Sequence, residues 1–338
     1  MKRVLTLMLA ALLVFGLTAC AGTPTTTVQP EATVKTGFGV VFSNSNSKDP
    51  ADGEDGTIDT QAYAAAVMVD KDGKIVKCVI DAMQSKFTFT AESEIKTDAG
   101  TVFKTKTQLG DAYGMKGTSG ITKEWYEQAA AFAAYAVGKT AAQIEGIAVA
   151  DGIATDPDLT SSVTVHIAPF QNSVLKALAN AKDLGAKATD KLGLAIEGTA
   201  AQTVQKATDD GPATAVAYNY YAAVTFDAAG KITSCIIDAS QAKFAVENGK
   251  IATALDAEIK TKNELGDAYG MKNASTIKKE WYEQAAAFAA YAVGKTAADI
   301  KGIALSEGKP ADADLASSVT VHVTSFINII DMAAATAK

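Results

Sequence analysis

Apolar and polar residues alternate at strand period on either side of a tight turn. Tyr63 to Asp70 and Ile75 to Ala82 flank Lys71-Asp72-Gly73-Lys74. Asp-Gly between alternating apolar runs predicts a β-hairpin. The pattern returns at Tyr221 to Asp227, Ala228-Ala229-Gly230-Lys231 and Ile232 to Ala239. A polar region follows, ending in the loop Leu109-Gly110-Asp111-Ala112-Tyr113-Gly114-Met115-Lys116. The period then changes. From about Lys123 to Val137, residues Trp125, Ala129, Phe132 and Ala136 fall at i, i+4, i+7 and i+11, one face of a helix. Gly138 is placed to stop it. A short helical segment, Thr140 to about Ile144, precedes the loop carrying Asp158. Ser161 to Ile167 alternates again and predicts a strand that closes the unit. A third helix, about Gln171 to Leu184 with Gly185 as its stop, is expected to connect to a second copy, and its counterpart is Phe326 to about Ala335. Strands, then helices, then a strand give an α+β class.

Self-similarity sets the organisation. Residues 123–142, which begin Lys123-Glu124-Trp125-Tyr126-Glu127-Gln128, recur letter for letter at 279–298, an offset of 156 (279 − 123). Thr164 and Thr320 keep that offset (320 − 164). Cys78 and Cys235 stand 157 apart (235 − 78), so the copies differ there by one inserted residue. A period this long reads as two tandem domains rather than a solenoid. They are placed at 36–190 and 191–338, each a small antiparallel sheet packed with helices.

The N-terminus reads as targeting sequence. Lys2 and Arg3 precede an apolar run, Val4 to Leu17, too short to span a bilayer comfortably as a folded helix. Leu17-Thr18-Ala19-Cys20 resembles a bacterial lipobox. That resemblance implies cleavage of residues 1–19, a lipidated Cys20, and a membrane anchor. Residues 20–35, rich in Thr, Pro and Gly after the cysteine, read as a flexible tether.

A length of 338 residues suits about two domains. The net charge of −7, without a basic stripe, argues against a nucleic-acid partner. Cys78 and Cys235 occupy equivalent strand positions, one per repeat, so no disulfide within a repeat is possible and buried inert thiols are expected. No Cys or His cluster has metal-site spacing.

The chemistry is sought in a second repeated stretch. Asp158-Leu159-Thr160-Ser161-Ser162-Val163-Thr164-Val165-His166 returns as Asp314-Leu315-Ala316-Ser317-Ser318-Val319-Thr320-Val321-His322. Strand alternation would put Ser162, Thr164 and His166 on one polar face. Spacing alone reveals no ligand there. The stretch resembles the attachment motif of FMN-binding domains, where an Asp precedes a Ser/Thr-Gly-Ala-Thr run and a flavin transferase joins the FMN phosphate to the last threonine. Asp158, Ser161 and Thr164 match, as do Asp314, Ser317 and Thr320. Ser162-Val163 and Ser318-Val319 stand where that motif has Gly-Ala.

With the lipobox, the duplication and the Leu-Gly-Asp-Ala-Tyr-Gly-Met-Lys loop, nearly all of the mature chain resembles the tandem FMN-binding surface lipoproteins of flavin-based extracellular electron transfer in Gram-positive bacteria. The resemblance implies two covalent FMN groups, on Thr164 and Thr320, and a carrier rather than a self-standing enzyme. It implies electrons from a membrane NADH dehydrogenase and quinone, passed to extracellular acceptors such as ferric iron. Asp158 and Asp314 would be read by the transferase or would position the threonine. An alternative is a surface lipoprotein that holds free flavin or another small ligand without a covalent bond.

Tyr113 and Met115, with Tyr269 and Met271, are candidates to cover the isoalloxazine ring, or else pack the start of the helix. Trp125 and Trp281 read as core anchors. The two histidines, His166 and His322, would have to carry any Ser-His-Asp chemistry, and no nucleophile elbow accompanies them. No G-x-G-x-x-G opens a βαβ unit, so electrons would come from a partner.

Overall fold

Three long antiparallel strands open the first half: β1 (Thr33–Ser43), β2 (Gly56–Val69) and β3 (Ile75–Phe89). The turn between β2 and β3 falls at Lys71–Lys74, where the Asp-Gly pair predicts it. The computed structural model describes residues 32–338. The residues read as signal sequence and lipobox, with Cys20, and most of those read as tether lie outside the described residues. No helix among the described residues is long and apolar enough to cross a membrane.

After β3 come β4 (Val102–Phe103), α1 (Lys106–Leu109), a 3-10 turn over Gly110–Tyr113, α2 (Trp125–Ala136) and α3 (Ala141–Glu145). The hairpin β5 (Val149–Ala150) and β6 (Ile153–Ala154), α4 (Pro157–Thr160), α5 (Ala168–Ala179) and β7 (Lys182–Lys187) complete the half. The second half repeats the series with β8 (Lys191–Thr199), β9 (Ala213–Phe226), β10 (Ile232–Glu247) and β11 (Lys250–Ile251). Then come α6 (Lys262–Leu265), a 3-10 turn over Gly266–Tyr269, α7 (Trp281–Ala292) and α8 (Ala297–Lys301). β12 (Leu305–Ser306), β13 (Lys309–Pro310), α9 (Ala313–Ala316) and α10 (Thr324–Thr336) follow. The ladders between these strands are antiparallel and the helices are separate from them, so the fold is α+β.

The sheets run β3-β2-β1-β7 and β11-β10-β9-β8-β4. Side-chain alternation assigns each face. In β2, Ala62, Ala64, Ala66 and Met68 face a core shared with Leu192, Leu194, Ile196 and Tyr221 of the other sheet. The intervening Tyr63, Ala65, Val67 and Val69 face α2 and α5 through Trp125, Phe132 and Phe170. β9 does the same: Tyr221 and Ala223 enter the shared core, while Ala222, Val224 and Phe226 meet Trp281, Phe288 and Phe326. The result is four layers: helices, sheet, sheet, helices. β4, from the first half, pairs with β8 of the second, and Glu31–Lys338 is one compact unit. Burying each large apolar side chain contributes about 1.5–3 kcal/mol, so these three cores supply the main driving force.

The helices lie very close to the sheets. Gly37 in β1 faces α5, and Gly193 in β8 faces α10. A Cβ on Gly37 would sit 2.0 Å from the Ala177 carbonyl oxygen, and one on Gly193 2.1 Å from that of Ala333. Only glycine permits this approach.

Several expectations are corrected. Ser161–Ile167 is not a strand. It is a turn followed by irregular backbone between α4 and α5. Its amide groups bond to a helix carbonyl, a side chain and the β5–β6 turn, not to a neighbouring strand: Val163 N donates to Leu159 O at 2.8 Å and Ile167 N to Gly152 O at 2.9 Å. The third helix ends at Ala179 rather than Leu184. Leu184 and Gly185 belong to β7, which pairs with β1, so Gly185 is no helix stop. β1 begins at Thr33, inside the segment read as tether, because Val34, Phe38 and Val40 enter the shared core. The helix over 125–136 and its buried face of Trp125, Ala129, Phe132 and Ala136 match the periodicity.

The close approach predicts a specific cost. Gly193→Ala forces α10 away from β8 and lowers unfolding free energy by about 1–3 kcal/mol, read by denaturant titration. Gly117→Ala, where an added Cβ meets nothing within 4 Å, leaves the transition within about 0.5 kcal/mol of the parent.

Candidate functional site

The first turns of α2 gather two loops. Glu124, its N-cap residue, is 1% exposed. Its carboxylate accepts from Met115 N at 3.0 Å and Lys116 N at 2.9 Å, which fixes the loop after Tyr113. Glu124 N in turn donates to Glu127 Oε2 at 2.8 Å, closing a capping box. One turn on, Gln128 is fully buried. Its Oε1 accepts from Thr164 N at 2.8 Å and Val165 N at 3.2 Å, and its Nε2 donates to Lys123 O at 3.3 Å. The Thr164 hydroxyl makes a longer contact to the same Oε1, 3.4 Å.

The second half repeats this at α7. Glu280 accepts from Met271 N and Lys272 N, each at 2.8 Å. Gln284 accepts from Thr320 N at 2.8 Å and Val321 N at 3.2 Å, with the Thr320 hydroxyl at 3.2 Å.

Beneath Tyr113 lies a buried cation. Lys106, the first residue of α1, is 3% exposed. Its Nζ is 5.2 Å from the Tyr63 ring centroid, 5.0 Å from Tyr113 and 4.9 Å from Trp125, and donates to Gln61 Oε1 at 2.9 Å. Lys262 is caged alike, 4.7 Å from the Tyr218 ring, 4.5 Å from Tyr269 and 4.9 Å from Trp281, and donates to the Tyr218 hydroxyl at 2.6 Å. Among the described residues neither ammonium forms an ion pair. Three aromatic faces and one oxygen replace its hydration. Burial pushes both ammonium groups down to about 8, against the pull of nearby carboxylates.

Each lysine feels a carboxyl on the neighbouring strand, Asp81 half-buried on β3 and Asp238 buried on β10. Asp81 and Asp238 are both pushed up by burial, Asp238 to about 7. Asp238 accepts from Ala239 N at 2.8 Å and Asn263 N at 3.1 Å.

The residues singled out by sequence are thus partly brought together. Thr164, Tyr113 and Met115 are half-buried, on loops tied to the first turns of α2 through Gln128 and Glu124; Thr320, Tyr269 and Met271 stand on loops tied to α7 in the same way. Asp158 and Ser161 stand apart, exposed on α4 and its C-cap, as do Asp314 and Ser317 on α9. The side chain that caps α4 is Asp156, which also accepts from the Tyr135 hydroxyl at 2.5 Å. His166 is exposed and rests on the β5–β6 turn: a Cβ on Gly152, at φ +79°, would come within 3.1 Å of its ring. Trp125 is core and also one wall of the lysine cage. Cys235 is buried and Cys78 partly so, and burial pushes both thiols up to about 12. A cleft of about 630 Å³ between the halves, lined by Phe38, Lys176, Asp238, Glu264 and Tyr282 among others, is bounded by neither threonine.

Sequence reasoning missed Gln128, Glu124 and Lys106 with their counterparts. Their signal was present: all three residue types recur at an offset of 156. The chain matches no protein-family model, no curated protein and no solved structure.

Gln128 makes a sharp prediction. In Gln128→Ala the half-buried Thr164 and Val165 amides lose their acceptor, at a cost of about 1 kcal/mol. Hydrogen exchange at those two amides accelerates, while Thr320 and Val321 exchange as before.

Proposed function

We propose that this chain is a membrane-anchored electron carrier with FMN joined by a phosphoester to Thr164 and to Thr320. One observation carries the reading. Each half offers a threonine hydroxyl on a loop pinned by a buried glutamine of the same helix whose N-cap glutamate pins the loop carrying a half-buried methionine, and the tyrosine of that loop lies over a caged lysine.

The residues present suit the group. Gln128 and Gln284 hold the threonine backbone and leave the hydroxyls only long contacts of 3.4 and 3.2 Å. Tyr113, Met115, Tyr269 and Met271 offer flat or polarizable faces to a planar ring. A flavin ring covered by Tyr113 or Tyr269 would have the cation of Lys106 or Lys262 nearby, which favours a ring that gains electrons. When bound, FMN supplies reversible uptake of one or two electrons. The protein's part is to tether, orient and set the electrostatics; no nucleophile or general base is required of it. Asp158 and Asp314 are exposed, and in this reading they are recognised by the flavin transferase.

In this reading Cys20 carries the lipid anchor at the outer face of the cell membrane. The electron donor is a membrane NADH dehydrogenase and quinone chain, and the acceptors are extracellular, ferric iron among them. The support is the lipobox pattern and the acidic, duplicated chain.

Intact mass tests the reading. Protein co-expressed with a flavin transferase and then denatured gains two FMN groups less two waters. Thr164→Ala and Thr320→Ala each remove one. A transferase active on a control protein but producing no gain contradicts the proposal, and flavin lost on denaturation supports the non-covalent alternative.

A further inference from the structure

The two cages are built alike but differ at one buried charge. Asp59 lies on β2 in the row that faces the first cage, two residues before Gln61 and four before Tyr63. It is 3% exposed. Its Oδ2 accepts from Gln84 Nε2 at 2.7 Å and lies 3.7 Å from Lys86 Nζ, whereas Oδ1 is buried without a partner. Gln84 Oε1 faces the Tyr113 hydroxyl at 3.5 Å, so the carboxylate is one side chain away from the ring-covering tyrosine. The equivalent position 157 residues on is Val216, packed in the apolar core of the second half. Gln61 is likewise replaced by Tyr218, whose hydroxyl receives the Lys262 proton donor.

The other charges nearest the cages are matched or paired, apart from the exposed Lys278, which stands where the first half has Thr122 and donates to Asn273 O at 3.2 Å. Asp81 and Asp238 correspond, as do Lys86 and Lys243, and Glu124 and Glu280. Glu264 replaces Gln108 in the second half, but it is paired with Lys176 at 2.5 Å and also accepts from Thr261 N. Glu197 replaces Val41, is half-buried, and bonds to the Ser325 hydroxyl at 2.8 Å. Its charge acts on Tyr220. Asp59 bears on Lys106, Tyr63 and Tyr113 together, and is the largest charge acting on Lys106.

We propose that Lys106 and Lys262 set the reduction potentials of the flavins on Thr164 and Thr320, and that Asp59, absent from the second half, makes the first flavin the lower-potential one. This rests on the covalent-FMN reading above. A ring that gains electrons is favoured by a nearby cation and opposed by a nearby buried carboxylate, because both act through a medium of low effective dielectric. At equilibrium the flavin on Thr164 is oxidised as the flavin on Thr320 is reduced by the same electrons. Protons exchange with solvent, and no other oxidant or reductant enters. The direction of flow inside the molecule is then from the first half to the second.

The experiment uses the full chain, flavinylated by a transferase, in two single-site forms. Thr320→Ala carries flavin only on Thr164, and Thr164→Ala only on Thr320; intact mass verifies each before a spectroelectrochemical titration at one pH. The expected midpoint is more negative for the flavin on Thr164. Adding Asp59→Asn moves that midpoint positive and leaves the flavin on Thr320 where it was. Lys262→Met moves the Thr320 midpoint negative. Equal midpoints, or the reverse order, overturn the proposal even if Asp59→Asn does not fold. So does a folded, flavinylated Asp59→Asn protein with an unmoved midpoint. Absence of covalent flavin from both single-site forms is a different failure, that of the covalent-FMN reading, and removes the basis of the proposal with it.

Discussion

The central strands β2 and β9 are buried on both faces, and the rest of the architecture answers that constraint. A strand buried on one face needs one partner layer; these need two. Alanine meets the demand by being apolar and short. Ala62, Ala64 and Ala66 face the opposite sheet while Ala65 faces the helices, so the cores fit within four thin layers. Glycine extends the same economy of space at Gly37 and Gly193, where helix backbone approaches strand backbone. The alanine-rich composition is therefore a packing requirement.

Stacking the sheets puts the helices outermost, and that placement makes the sites. The N-terminal turns of α2 and α7 each hold two loops by side chains that are almost wholly buried, Glu124 and Gln128 in one half, Glu280 and Gln284 in the other. A buried carboxylate or amide costs free energy unless its hydrogen bonds are made. Here the bonds are made to loop amides, so the cost of burial is offset by fixing the loops that carry Thr164, Thr320, Tyr113 and Tyr269. The caged lysines follow the same logic with π-faces in place of acceptors.

The parts legible in sequence were those with sustained period or paired turn residues. The Lys71–Lys74 hairpin, the buried face of α2 and the duplication follow from local pattern. Ser161–Ile167 misled because its alternation is short. Asp156-Pro157 and Ala168-Pro169, an N-cap before a proline and a second proline in a first helical turn, mark helices on both sides of it. That leaves the segment between them as a connection. The two-residue strands β4 and β11 and the pairing of β4 with β8 are set by tertiary partners, and no local signal encodes them. The lysine cages were hidden because a lone lysine reads as solvated until the fold shows three rings around it.

Two equivalent threonines, each held through its backbone by a buried glutamine, are the centre of the account. Peptide mapping of transferase-treated protein tests it most directly. Tandem mass spectrometry should locate one FMN on the peptide containing Thr164 and one on the peptide containing Thr320, at the threonine itself. FMN found instead on Ser161, Ser162, Ser317 or Ser318, or on neither peptide while a control substrate is modified, would contradict it.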